Sequence, residues 1–199
     1  MLKANPERTS DVYAQPALRS WYDLLATLMQ QRQSGNDLHE LADFAIAFGH
    51  HLDLNDRDIA LLEGGAYVHD VGKLLIPIGV LEYPGKLSRQ QQRVMRSHVN
   101  LGAQALQLMP ALKAFEMFVL HHHERFDGSG YPKKLVGDRI PYLVRVFSLC
   151  DVWLALRSQR SYKQAYSCEE SIDIMQSEAG AGLHDPDLVD RLVGFVGHH

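Results

Sequence analysis

The stretch DRDIALLEGGAYVHDVGKLL, residues 56–75, decides how the chain is read. Asn55 and Asp56 can open a helix there, because their side-chain oxygens accept from backbone N–H groups that have no partner in a first turn. The helix is expected to end before Pro77, which cannot continue it. The run is mostly apolar, so it reads as a core helix. It nonetheless carries His69 and Asp70 side by side near its end. Packing does not explain that pair, since a buried charge needs a partner or a cation to offset its desolvation.

Helical signals continue on both sides. From Pro16, residues Leu18, Trp21, Leu24, Leu25 and Leu28 recur every three to four positions as one apolar stripe, and Gly35 in QRQSGND breaks the pattern. A second helix is expected from about Asp37 to His51, with Asp37 as cap, His39 one turn in, and Leu41, Phe44, Ala45 and Phe48 along one face. PGKLS at 84–88 is a turn whose Ser88 caps the helix RQQQRVMRSHVNLGAQALQLM, which places His98 mid-helix. Pro110 starts PALKAFEMFVLHHHE, which brings His122 and His123 to a helix end just before the glycine-rich loop DGSGYP. From Pro141 a long apolar helix runs through VRVFSLCDVWLALRS with Asp151 inside it. Shorter helices are expected near CEESIDIMQSEAG and DPDLVDRLVGFV. No alternating pattern of strand length, internal repeat or low-complexity segment occurs. The expectation is an all-α compact helical bundle: one domain over 16–199, preceded by an arm at 1–15.

Composition supports this reading. The 199 residues are 46% hydrophobic and 22% charged, ordinary for a globular chain. No apolar run is long enough for a membrane span, and the polar start MLKANPERTS is not a secretory signal. Two cysteines, Cys150 and Cys168, make no disulfide framework, so a cytoplasmic setting is expected. A net charge of −4 argues against binding a nucleic-acid polymer. Between Arg125 and Lys163, however, eight basic residues face three acids, a local excess of +5. Such a patch suits a compact anionic ligand, though a basic stretch is also what a solvated helix face looks like.

The chain has 11 histidines, most of them between Leu38 and Glu124. His39, His69, His98 and the His122–His123 pair fall on different helices, together with Asp70 and Asp151. Imidazoles and carboxylates spread over several helices are how bundles hold metal ions in their cores. Mixed nitrogen and oxygen donors suit iron, manganese, zinc or nickel better than calcium or magnesium. His121 sits one register off its neighbours and reads as surface. His50, His51, His184, His198 and His199 read as structural or surface residues.

The motifs HDVGK at 69–73, HHERFDGSGYP at 122–132, IP at 140–141, DVWLAL at 151–156 and RSYK at 160–163 resemble the HD-GYP domain, a subgroup of the HD-domain metal-dependent phosphohydrolases. LHELADF at 38–44, PGKLS and the DP at 185–186 fit as well. The resemblance runs from about residue 20 to 197. It implies a bundle with a two- or three-metal site and hydrolysis of cyclic di-GMP to pGpG or GMP in bacterial signalling. It further implies His39, His69, Asp70, His98, His122, His123 and Asp151 as metal ligands, with Asp70 as bridge. Lys73 would contact the scissile phosphate, while Arg160 and Lys163 would hold the other one. Gly128, Gly130, Tyr131 and Pro132 would shape the loop that meets substrate or a signalling protein. Two transition-metal ions are expected, iron or manganese first and nickel or zinc as alternatives. Glu124 and Asp127 stand open between supporting the ligands and anchoring the loop.

The chain departs from that pattern in places. Gly35 stands where members with a third metal carry a glutamate, so two metals and pGpG as main product are expected. Leu154 replaces the usual second aspartate of the DVWLAL motif. Ser161 replaces a proline, and Ile78 and Tyr83 stand at positions commonly polar. Two alternatives therefore remain beside an active phosphodiesterase. One is a catalytically weak module that binds a cyclic dinucleotide or a signalling protein through the GYP loop. The other is an HD phosphohydrolase for another nucleotide such as cyclic GMP-AMP. The short arm is expected to hold no sensor domain, so that input comes from another chain, from metal supply or from oxygen. A homodimer through the first helix is a further expectation, against the simpler reading of its stripe as core.

Overall fold

A computed structural model describes residues 16–31, 37–159 and 164–197. Among them all regular structure is helical: α1 (Pro16–Gln31), α2 (Leu38–His51), α3 (Asp56–Val68), α4 (Ile78–Leu81), α5 (Arg89–Arg96), α6 (His98–Gln107), α7 (Glu116–His121), α8 (Tyr142–Arg157), α9 (Cys168–Gly180) and α10 (Pro186–Val196). Short 3₁₀ turns occupy Val71–Leu75, Pro110–Phe115 and Gly137–Arg139. The expected all-α bundle is borne out. No described helix is long and apolar enough to cross a membrane.

The caps follow their side chains. Asp37 accepts from the His39 and Glu40 amides, Asn55 from Asp58, and Asp185 from Asp187. Ser88 with Gln91, and Ser167 with Glu170, form reciprocal capping boxes that satisfy two orphan N–H groups each.

α2 lies along α3, and both pack against α8; α6 crosses Val71–Leu75 and meets α7, while α9 and α10 close over α8. Phe48, Phe115, Phe118 and Phe147 are fully buried at the centre. Each contributes roughly 1.5–3 kcal/mol by leaving water. Phe118 and Phe147 meet edge to face at 5.4 Å, and the His69 ring lies 5.2 Å from Phe147, so the aromatic core supports the polar site from below.

Three expectations are corrected. The helix of residues 56–75 stops at Val68 and resumes as a 3₁₀ turn. The helix after Ser88 is two helices split at Ser97, whose Oγ donates to the Val94 carbonyl at 2.6 Å; His98 therefore opens α6 instead of sitting mid-helix. The stripe on α1 is two stripes. Leu18, Tyr22, Leu25 and Met29 are buried, whereas Trp21, Leu24 and Leu28 face outward.

Candidate metal centre

The break after Val68 makes the site. His69 ends α3, and Asp70 follows with φ −102° and ψ 7°, so the chain turns and both side chains point inward. Gly72 sets how closely this turn meets α6. A Cβ there would stand 1.9 Å from the His98 carbonyl oxygen and 2.6 Å from the Gly102 nitrogen, so any side chain would force the two segments apart.

Asp70 is buried, and its two oxygens face different partners. Oδ1 lies 3.3 Å from His98 Nε2 and 3.6 Å from His122 Nε2. Oδ2 lies 3.2 Å from His69 Nε2 and 2.5 Å from Lys73 Nζ. Each of these imidazoles places its Nδ1 on a main-chain carbonyl: His69 on Ala66 at 3.0 Å, His98 on Met95 at 2.8 Å and His122 on Phe118 at 2.8 Å. An Nδ1–H donated to a carbonyl leaves the Nε2 lone pair free, the arrangement by which proteins aim histidine ligands at a metal.

Asp70, His98, His122 and His123 each bring a donor atom within 4.8 Å of the others. Asp70 Oδ1, His98 Nε2 and His122 Nε2 are buried without a hydrogen-bond partner. Buried polar atoms without partners are costly, and three of them converging on one point fit a cation. Burial pushes the His98 imidazole down to about 4, and burial together with the nearby His122 holds His123 well below its ordinary value. Both thus stay in the neutral form that binds metals. Burial alone would raise the Asp70 carboxyl, but the charges of Lys73 and His69 beside it outweigh burial and keep Asp70 an anion. Burial opposes charge on His69, and the Asp70 charge, its hydrogen bond and Asp151 reverse that and raise it.

The loop after α7 is built onto the site. Glu124 is buried and accepts from the Lys133 amide at 2.7 Å and the Leu135 amide at 3.0 Å. Asp127 accepts from the Ser129 amide at 2.8 Å. Both acids therefore anchor the loop. The Phe126 amide donates to Leu183 at 3.1 Å, which fastens the loop to the α9–α10 corner.

The HD domain family matches residues 19–188. The chain belongs to the HD-domain family. Among curated proteins this HD domain is 35% identical over 85% of its length to the cyclic di-GMP phosphodiesterase response regulator RpfG of Xanthomonas campestris. It is 32% identical over 82% of its length to a 3′3′-cGAMP-specific phosphodiesterase of Vibrio cholerae. It spans 46% and 32% of those two proteins, so they extend well beyond it. In fold it resembles an HDG"Y"P protein from Bdellovibrio bacteriovorus, with a TM-score of 0.66 at 17% identity over 94% of this chain and 67% of the other. The HD domain of the L. monocytogenes phosphodiesterase PgpH, solved with cyclic-di-AMP, gives 0.56 at 16% identity over 98% of this chain and 99% of that one. The family expected from the motifs is borne out.

The HD-domain chain distributes its expected site residues unevenly. Asp70, His98, His122 and His123 come together, and His69 and Lys73 flank them on the Oδ2 side. His39 lies outside that group, on the surface of α2, with Nδ1 at 2.9 Å from the Tyr67 hydroxyl. Asp151 is half-buried on α8 and near enough to His69 to raise it. Arg160, Lys163 and Gly35 fall outside the described residues. Gly130 presses on the 123–125 backbone, where a Cβ would stand 2.3 Å from the Arg125 nitrogen; Tyr131 stacks on His123 at 4.8 Å, and Pro132 follows it.

His121 is half-buried beside Glu124 instead of lying on the surface. His184 is buried, 2.8 Å from Glu178 Oε2. Part of the basic stretch is spent on partners within the chain: Arg125 reaches His184, Arg145 reaches Asp185, and the exposed Arg157 donates to the Tyr166 carbonyl. Arg96, whose guanidinium covers the Tyr131 ring, carried no sequence signal beyond lying two residues before His98.

Proposed function

We propose that this chain is a metal-dependent phosphodiesterase that hydrolyses cyclic di-GMP to pGpG or GMP. The observation that carries the reading is the convergence of unpartnered Asp70 Oδ1, His98 Nε2 and His122 Nε2 in a buried pocket. The phosphodiesterase names of relatives above 30% identity support the substrate class.

His98, His122, His123 and Asp70 Oδ1 would hold one ion. Asp70 Oδ2 with His69, and His39 and Asp151 by their motif positions, would hold a second. The donor set favours iron or manganese, with nickel or zinc as alternatives. When bound, such ions polarise a phosphoryl oxygen and lower the pKa of a coordinated water. The protein supplies the rest. Main-chain carbonyls fix the imidazole planes of His69, His98 and His122, so these ligands need no reorganisation. Lys73, tethered to Asp70 Oδ2 and about one-fifth exposed at 19%, neutralises charge on a phosphate oxygen next to the carboxylate. Arg160 and Lys163 take the second phosphate. Glu124 and the Phe126 amide hold the loop rigid beside the site.

The test is turnover of cyclic di-GMP by protein purified without oxygen and loaded in parallel with iron or manganese. Linear pGpG or GMP that disappears in Asp70→Ala supports the reading. Bound metal with no turnover of cyclic di-GMP overturns it. A second substrate, 3′3′-cGAMP, belongs in the same assay because relatives named for it match this chain to a similar degree. Preference for it would move the substrate and leave the chemistry in place.

A further inference from the structure

His123 differs from its neighbours in how it is held. His69, His98 and His122 each lean on a main-chain carbonyl through Nδ1. Among the described residues nothing hydrogen-bonds the His123 ring. It meets the His122 ring at 4.0 Å, tilted, and the His98 ring edge-on at 5.1 Å, and the ring that lies nearly parallel to it is Tyr131, 4.8 Å away at 26°. The Tyr131 amide donates to the His123 carbonyl at 3.2 Å, so imidazole and phenol are tied together at the main chain as well. Gly130 permits this closeness, because a Cβ there would collide with the Arg125 nitrogen and the His123 carbonyl oxygen at 2.3 and 2.5 Å. The Tyr131 hydroxyl makes no hydrogen bond among the described residues, so its ring face is what the fold uses. Arg96 stands over that ring, 4.8 Å from its centroid. It ends α5, immediately before the Ser97 break that presents His98.

We infer that Tyr131 and Arg96 are positioning residues for His123. The stacked ring takes the place of the hydrogen bond that orients the other histidines. Arg96 pins the ring to the segment carrying His98, so that two ligands from α6 and the α7 end keep one spacing. The pair thereby sets how tightly the Oδ1 side of Asp70 holds a divalent cation, and Tyr131 serves the ligand instead of the substrate. This rests on the metal reading proposed above.

The test is Mn²⁺ titration of the metal-stripped chain by calorimetry, with cyclic di-GMP kinetics at saturating Mn²⁺. Groups that orient a metal ligand typically govern about 10–100-fold in affinity, so Tyr131→Leu should weaken Mn²⁺ by about that factor. Tyr131→Phe, which keeps the ring face, should restore most of it. Arg96→Met should cost about 2–5-fold, the worth of an exposed cation–π contact. At saturating Mn²⁺, KM should stay within about twofold of wild type in the three variants, since uniform substrate binding is untouched. Wild-type Mn²⁺ affinity in Tyr131→Leu, or a KM raised by about tenfold or more, would overturn the inference and make the ring a substrate contact. If Tyr131→Leu does not fold, Arg96→Met decides, because Arg96 is exposed: unchanged Mn²⁺ affinity there sinks it. Wild-type protein that binds no Mn²⁺ removes the metal reading and this inference with it. Wild-type binding with unaffected variants removes this inference alone.

Discussion

At the scale of single residues, the site depends on a few close approaches. Gly72 is the tightest of them. Gly72→Ala puts a methyl group into the α6 backbone, where neither side is a flexible side chain. The expected loss is about 3 kcal/mol, at the upper end for overpacking, read by urea unfolding. Asp70→Asn keeps the shape and removes the charge that two oxygens share among three imidazoles and Lys73; Mn²⁺ binding measured by calorimetry should fall below detection while the fold persists. The adjacent His69 and Asp70 were legible in the sequence because an apolar helix has no structural use for them. Glu124 stood open between two roles until its oxygens were seen on the Lys133 and Leu135 amides. Arg96 was illegible, since a solvent-facing arginine on a helix announces nothing until its aromatic partner arrives from a loop far along the chain.

At the scale of elements, helix beginnings were legible and helix breaks were not. Asp37, Asn55 and Ser88 mark their helices through local hydrogen bonds that depend on nearby residues alone. The breaks after Val68 and at Ser97 are set by the crossing of the 71–75 turn with α6, a tertiary demand that local propensity cannot carry. The double-sided stripe of α1 misled for a similar reason: apolar residues on both faces do not say which face meets the core. Arg145 joins α8 to Asp185 at 2.5 Å and Asp138 at 2.9 Å, with the Arg145 and Asp185 side chains 14% and 10% exposed. Arg145→Met leaves the Asp185 carboxylate uncompensated and should cost about 3 kcal/mol in urea unfolding. Glu124→Ala should free the Lys133 and Leu135 amides, visible as faster hydrogen exchange at those two positions with α8 unchanged.

At the scale of the whole molecule, the α9–α10 corner holds the loop side of the bundle together, and part of that hold depends on pH. A hydrogen bond from His184 outweighs partial burial and lowers Glu178 below its ordinary carboxyl value of 4.5. A depressed carboxyl adds stability that is full above the unfolded-state value and is lost as pH falls through the folded one. Thermal unfolding should therefore show Glu178→Gln less stable than wild type near neutrality, with the difference shrinking below pH 4.5. The central claim concerns the pocket that the bundle encloses. Its most direct test is anomalous diffraction from crystals of the full chain soaked in Mn²⁺. A peak is expected within coordinating distance of Asp70 Oδ1, His98 Nε2, His122 Nε2 and the His123 ring. A pocket that stays without anomalous signal while Mn²⁺ binds elsewhere on the chain would contradict it.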